Sequence, residues 1–171
     1  MKNSFTIILL LIVILIFNCQ QLEQINIQEE KASIRKVLDK YVKSIVDEDM
    51  SLYSEIVAQD SNMINVGGSV NLSWIEGWTQ LKEVMNGQND AFSETEINVT
   101  KERIFISPTG RNAWAVTFWD LKTVISDGNK YLLPLRCTWV LQKRDNKWII
   151  ISFHKSFGVK SLREFQVTSL E

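Results

Sequence analysis

Residues 112–157 read NAWAVTFWDLKTVISDGNKYLLPLRCTWVLQKRDNKWIIISFHKSF, and this stretch decides the fold. Asn112 to Ile125 reads as a long strand and Tyr131 to Arg144 as the next, and apolar residues dominate a third, Lys147 to Phe157. Between the first two runs, Ser126-Asp127-Gly128-Asn129 contains the Asp-Gly pair that favours a tight hairpin, because both central residues tolerate positive φ. Asp145-Asn146 separates the second run from the third. Upstream, Glu94 to Ile106 is rich in Thr, Ile and Val and ends in the turn Ser107-Pro108-Thr109-Gly110. Three hairpin-style turns in a row predict an antiparallel meander of four long strands.

A sheet must bury one face, and the only partners in this chain are helices near its front. Ile34, Val37, Leu38, Tyr41, Val42, Ile45 and Val46 recur at three- and four-residue spacing, an apolar stripe along one helix. Asn26, with Glu29 three residues later, caps its start. Asp49 caps a short second helix from Met50 to Val57. Met63 to Val66 reads as a short strand running into Gly67-Gly68, and Leu72 to Ile75 as another. Gly77 to Asp90 returns to helical spacing, with Trp78, Leu81, Val84 and Met85 on one side. The expected class is α+β: N-terminal helices packed on one side of a strongly curved antiparallel sheet, a shape that leaves a cavity at its open end.

Four local patterns follow that order. They are Leu38-Asp39-Lys40-Tyr41, Ile75-Glu76-Gly77-Trp78, Asn112-Ala113-Trp114-Ala115, and Lys143 to Trp148 leading to Phe153-His154. Together they resemble the SnoaL-like branch of the nuclear-transport-factor-two-like superfamily, over residues 28–158, with 159–171 left as a tail. The resemblance implies a cone-shaped roll around a pocket, and dimers formed through the outer face of the sheet. The superfamily includes ketosteroid isomerase, polyketide cyclases, dehydratases and ligand-binding or structural modules, so the fold leaves the function open. Its isomerase uses a carboxylate base with a tyrosine and a protonated aspartate as oxyanion donors, and Tyr41 matches that tyrosine.

Strand alternation proposes the pocket lining. Trp148, Ile150, Ser152 and His154 share one face of the last strand and are expected inside, with Ile149, Ile151 and Phe153 outside as a homodimer contact. His154 is the chain's one histidine, either a general base at the pocket mouth or a packed side chain bonded to a carbonyl. Arg136 shares a face with Thr138, Val140 and Gln142; turned inward, it needs a ligand carboxylate or an internal partner such as Asp120 or Glu102. Trp119 shares its face with Ala113, Ala115 and Thr117, and Trp114 has the opposite parity. The candidate ligand-binding set is therefore Tyr41, Trp78, Trp119, Arg136, Thr138 and His154. The alternative is a cofactor-free isomerase, cyclase or lyase with His154 or Asp120 as base and Tyr41 or Arg136 stabilising an enolate. A single histidine without a thiol or carboxylate cluster matches no usual metal set, and no cofactor is called for.

The 171 residues are 45% hydrophobic and 23% charged with a net charge of −1, a globular composition without the basic footprint of a nucleic-acid binder. The N-terminus is a separate object. After Met1-Lys2-Asn3-Ser4, Phe5 to Phe17 is apolar except for Thr6, a run within the ~7–15 residues of a signal-peptide core and short of the ~20 that span a bilayer. Ile16-Phe17-Asn18-Cys19 resembles a bacterial lipoprotein signal. It implies cleavage after residue 18, a lipid on Cys19, a polar tether over 19–27, and a domain anchored to a membrane of the cell envelope. An uncleaved anchor helix is the alternative. Cys137, inside an apolar strand, reads as a buried structural thiol. Replacing Cys19 with Ala is expected to release the protein from the membrane fraction or to halt its processing; a protein that stays with the lipid at unchanged mass would make the apolar run itself the anchor.

Overall fold

The computed structural model describes residues 25–67, 74–126 and 128–157. The apolar leader, Cys19 and the tail beyond residue 157 lie outside the described residues. Helix α1 spans Ile27–Val46, and the Asn26 side chain accepts hydrogen bonds from the backbone N–H groups of Gln28 and Glu29. Asp49 caps α2, Met50–Ile56, by accepting from the Leu52 amide. Helix α3, Trp78–Ala91, starts after Gly77. Gly77 has φ +79°, and its amide bonds the Met63 carbonyl at 2.8 Å.

The strands are β1 (Ile64–Gly67), β2 (Trp74–Glu76), β3 (Phe92–Ile106), β4 (Asn112–Ile125), β5 (Lys130–Arg144) and β6 (Lys147–Ser156). They form one sheet in the order β2-β1-β6-β5-β4-β3. The four-strand meander is present as the turn chemistry predicts, antiparallel throughout. Beyond it, β1 lies parallel to β6, with Ile64 opposite Ser152 and Gly67 opposite Lys155, and β2 extends the sheet antiparallel to β1. Strand spacing along the chain carries no sign of this parallel join. Gly67 permits it: its φ is +78°, and a Cβ there would stand 2.3 Å from the Lys155 carbonyl oxygen.

The inner face of β4 is Ala113, Ala115, Thr117, Trp119, Leu121 and Thr123, all buried, while Trp114 and Phe118 face outward. Small residues at one end let the α1 stripe approach: Ile34, Leu38, Tyr41 and Ile45 of α1 are all buried in the same core. On β5, Leu135, Cys137, Trp139 and Leu141 point inward, and Arg136, Thr138 and Val140 outward.

The last strand departs from simple alternation. Val140 pairs with Ser152 but the next residue, Leu141, pairs with Ile150, so Ile151 is an extra residue in β6. Such a bulge inverts the parity of everything beyond it. Trp148 and Ile150 are inside as expected, but so are Phe153 and Lys155, and His154 is exposed. The inward placement of His154 and the outward placement of Phe153 are thereby reversed.

Candidate functional site

The interior that the bulge creates centres on Lys155. It is 9% exposed, and its Nζ donates a 2.9 Å hydrogen bond to Tyr41 Oη. The ammonium position lies over three rings, 4.8 Å from the Tyr41 centroid and 5.3 Å from those of Trp119 and Phe153. Tyr41 in turn meets Trp139 edge-on at 4.7 Å and Phe153 at 5.4 Å, with Tyr53 at 5.2 Å. Trp139 is fixed by donating from Nε1 to Thr117 Oγ1 at 2.9 Å. The cone is thus filled by aromatic side chains around one amine.

No carboxylate among the described residues pairs with Lys155. Burial therefore pulls its pKa down to about 8, and only the neighbouring Cys137 thiol pushes the other way. Burial raises Cys137 to about 11, with Lys155 and Thr117 partly offsetting it, so the thiol stays protonated. Tyr41 is held well above the ordinary phenol range by burial and then by the adjacent Tyr53, which burial raises as well. Three further buried polar atoms, Tyr53 Oη, Asn65 Oδ1 and Trp119 Nε1, have no hydrogen-bond partner among the described residues. Asn65 sits opposite Phe153 in the register, hence on the same inner face. These groups leave unmet hydrogen-bonding capacity within an apolar shell.

Of the residues expected to line the pocket, Tyr41 and Trp119 are at this centre. Trp78 is one step away, stacked on Tyr53 with centroids 6.2 Å apart. Arg136, Thr138 and His154 are on the opposite face of the sheet. Thr138 pairs with His154 in register, and Phe118 with Arg136. Those three do lie together, as their parity relationship required, but outside the cone. Asp120 has outward parity on β4 and is half-buried. Glu102, considered as a partner for Arg136, instead accepts from Arg35 of α1 at 2.6 Å. Lys155 and Asn65 were missed. The run Ile149-Ile150-Ile151 breaks alternation one turn of the pleat before Lys155, and that was the available sign of a bulge. Among the described residues no group of three or more His, Cys, Asp or Glu side chains is placed to hold a metal ion.

A concavity of about 900 Å³ lies outside the cone between α1, α2 and the β5–β6 turn; Lys36, Lys40, Glu55, Val57, Trp148 and Ile149 are among its walls. Lys40 is paired with Glu55 at 3.2 Å. The Trp148 Nε1 donates to Glu30 at 2.7 Å, and Glu30 also takes a bond from Lys143 at 2.6 Å. Burial pushes the Glu30 carboxyl up, but these two hydrogen bonds outweigh it and hold the carboxyl below its ordinary value. The groups at this end of the sheet are therefore satisfied by one another, in contrast to those around Lys155.

The lone amine gives a pH signature. In the unfolded chain Lys155 titrates near its usual 10.5 and in the folded protein near 8. Below pH 8 both states hold the proton, and folding carries the whole cost of burying the charge, about 3 kcal/mol. Between pH 8 and 10.5 the folded state has lost a proton that the unfolded state keeps, so stability rises with pH across that window. Lys155→Met should be more stable than the parent at neutral pH and should lack this rise, as read from denaturant melts at pH 7 and pH 10. Parallel curves for the two proteins would mean that the amine is solvated.

Among solved structures, a nuclear transport factor 2-like superfamily protein from Salmonella enterica superposes with TM-score 0.70 at 19% identity, covering 84% of this chain and 98% of its own. The hexachlorocyclohexane dehydrochlorinase LinA-type3 from Novosphingobium barchaimii gives 0.70 at 10% identity, with 84% and 93% covered. The association domain of CaMKII from C. elegans gives 0.61 at 16% identity, with 75% and 96% covered. At these identities the likeness is one of fold, and it spans a dehydrochlorinase and an association domain alike. No curated protein matches the sequence. Residues 34–160 match the model of the SnoaL-like domain, and the chain belongs to that family.

Proposed function

We propose that this chain is an exported protein, held at a membrane of the cell envelope by a lipid on Cys19, whose SnoaL-like domain binds a small organic ligand at Lys155. The carrying observation is the buried amine, bonded among the described residues only to a phenol, with Tyr53 Oη, Asn65 Oδ1 and Trp119 Nε1 also buried and without a partner there. Buried polar groups are ordinarily paired, because each unpaired one costs about 1–3 kcal/mol. A ligand oxygen accepting from Lys155 and Trp119 would relieve two such deficits at once. The leader and the polar tether support export and anchoring. No helix among the described residues is long and apolar enough to cross a membrane.

A second reading is a cofactor-free isomerase, cyclase or lyase. It is favoured by the same pair: an amine near neutrality serves as general base, and a protonated phenol beside it as donor to a developing oxyanion. In that case Lys155 takes the role first considered for His154 or Asp120. Mass spectrometry of small molecules that co-purify with the full-length chain distinguishes binding from its absence. A bound compound present in the parent and lost in Lys155→Met is expected. Equal retention by both would move the site elsewhere, to the outer cleft first of all.

The domain pairs with a second copy through the outer face of the sheet in this proposal. Phe105, Trp114 and Val140 are register partners across β3, β4 and β5, and all three are exposed. Phe105 and Trp114 stack at 5.3 Å with their rings 10° apart. Phe118 extends the patch, and exposed apolar surface of this kind marks contacts. Ile149 and Ile151, expected to make that contact, are instead half-buried against the core. Trp114→Glu should give a folded monomer by sedimentation. A dimer that survives this change would place the contact on another surface.

A further inference from the structure

The concavity outside the cone, about 900 Å³, has the size of a small-molecule site, for which ~300–1,000 Å³ is usual. Its floor is apolar: Ile56, Val57, Ala58 and Trp148 are buried there, with Val37 and Ile149 half-buried beside them. Backbone contacts fix that floor. Val57 forms a parallel bridge with Ile150, and the Ala58 amide donates to the Ile150 carbonyl at 2.8 Å. The Trp148 ring is held in turn by its 2.7 Å bond to Glu30.

Charge on the walls is mostly of one sign. Lys36, Lys40, Arg144 and Lys147 line the cleft with a single carboxylate, Glu55. Lys36 and Lys40 are four residues apart on α1 and so project from one side of that helix. Arg144 and Lys147 are register partners across the β5–β6 turn, whose Asp145 and Asn146 hold φ at +47° and +60°. Like charges at helical i, i+4 spacing and like charges directly opposite across a hairpin both oppose folding. Neighbouring carboxylates answer two of the four cations: Lys40 pairs with Glu55 at 3.2 Å and Arg144 with Asp60 at 2.7 Å. Lys36 and Lys147 enter no ion pair among the described residues.

We propose that this cleft is a binding site in its own right, separate from the Lys155 interior, and that it takes an organic carboxylate with an apolar body. The body lies on the apolar floor, and the carboxylate answers the two cations that the chain leaves over, Lys36 and Lys147. Both halves of the ligand are needed. A strongly hydrated inorganic anion gains nothing from the floor, and the guanidinium fork that grips phosphate is already taken: Arg144 donates from Nε to Gln142 at 2.8 Å and from Nη1 to Asp60 at 2.7 Å. A neutral apolar molecule would cover the floor and leave both ammonium groups without a counter-charge. Charge and burial together therefore select the class.

The experiment titrates the full-length chain with naphthoate at neutral pH by isothermal calorimetry, with naphthamide as its neutral counterpart and inorganic phosphate as competitor. Saturable binding of naphthoate at one site per chain is expected, with naphthamide at least tenfold weaker and phosphate unable to displace it. Lys36→Gln and Lys147→Gln, both at exposed positions and checked for folding by circular dichroism, should each weaken binding about threefold and together about tenfold, the range of exposed charge pairs. Absence of saturable binding overturns the proposal. So does an affinity that the double substitution leaves unchanged, or naphthamide binding as tightly as naphthoate. Displacement by phosphate would make the cleft a reader of charge alone and overturns the ligand class. Binding lost in Lys155→Met but kept in the double variant puts the compound inside the cone, which sinks the cleft site while the Lys155 reading stands.

Discussion

The contact between Lys155 and Tyr41 joins the last strand to the first helix through the middle of the core, and the remaining structure is arranged around it. An amine cannot be enclosed by aromatic rings unless something accepts its hydrogen. The phenol does so, which fixes the rotation of α1 about its axis: Tyr41 must point at β6, and Ile34, Leu38 and Ile45 follow on the same stripe. Trp119 and Trp139 fill the space on either side, and Ala113, Ala115 and Thr117 supply the room that such large rings require. A mostly apolar core thus carries one specific polar pair, and the pair orients the helix against the sheet.

Elements whose evidence is local were legible in the sequence. Helix caps at Asn26 and Asp49, the apolar stripe of α1, the hairpin turns and the opposed faces of Trp114 and Trp119 all stand as read. Each depends on neighbours within a few residues. What escaped depends on partners far away in the chain. The inserted residue at Ile151 is defined by its register against β5, and no alternation rule survives a slipped register. The pairing of β1 with β6 is likewise invisible until both strands are placed. One slip sent His154 outward and Lys155 inward, while Tyr41 and Trp119 stayed at the centre.

The two faces of the sheet consequently divide their chemistry. The outer face collects Arg103, Arg136 and His154 among exposed Phe and Trp side chains, a mixture suited to meeting another protein. The inner face holds Lys155, which no opposite charge among the described residues balances. Stability explains why a chain keeps its charges outside; it does not explain a lysine retained inside, where a methionine of similar length would pack without cost.

The parallel join at Gly67 has a consequence for how the molecule comes together. Hairpins β3–β4, β4–β5 and β5–β6 close over short loops, whereas Ile64 meets Ser152 across 88 positions of chain. Closing a loop of that length is entropically the slowest of these steps and gains nothing until the meander exists to receive it. The meander therefore assembles first, with its inner face open to water along β6, and β1 arrives late to seal that edge. Its last residue is the glycine that fits against the Lys155 carbonyl, so the edge of the sheet beside Lys155 is the last to close.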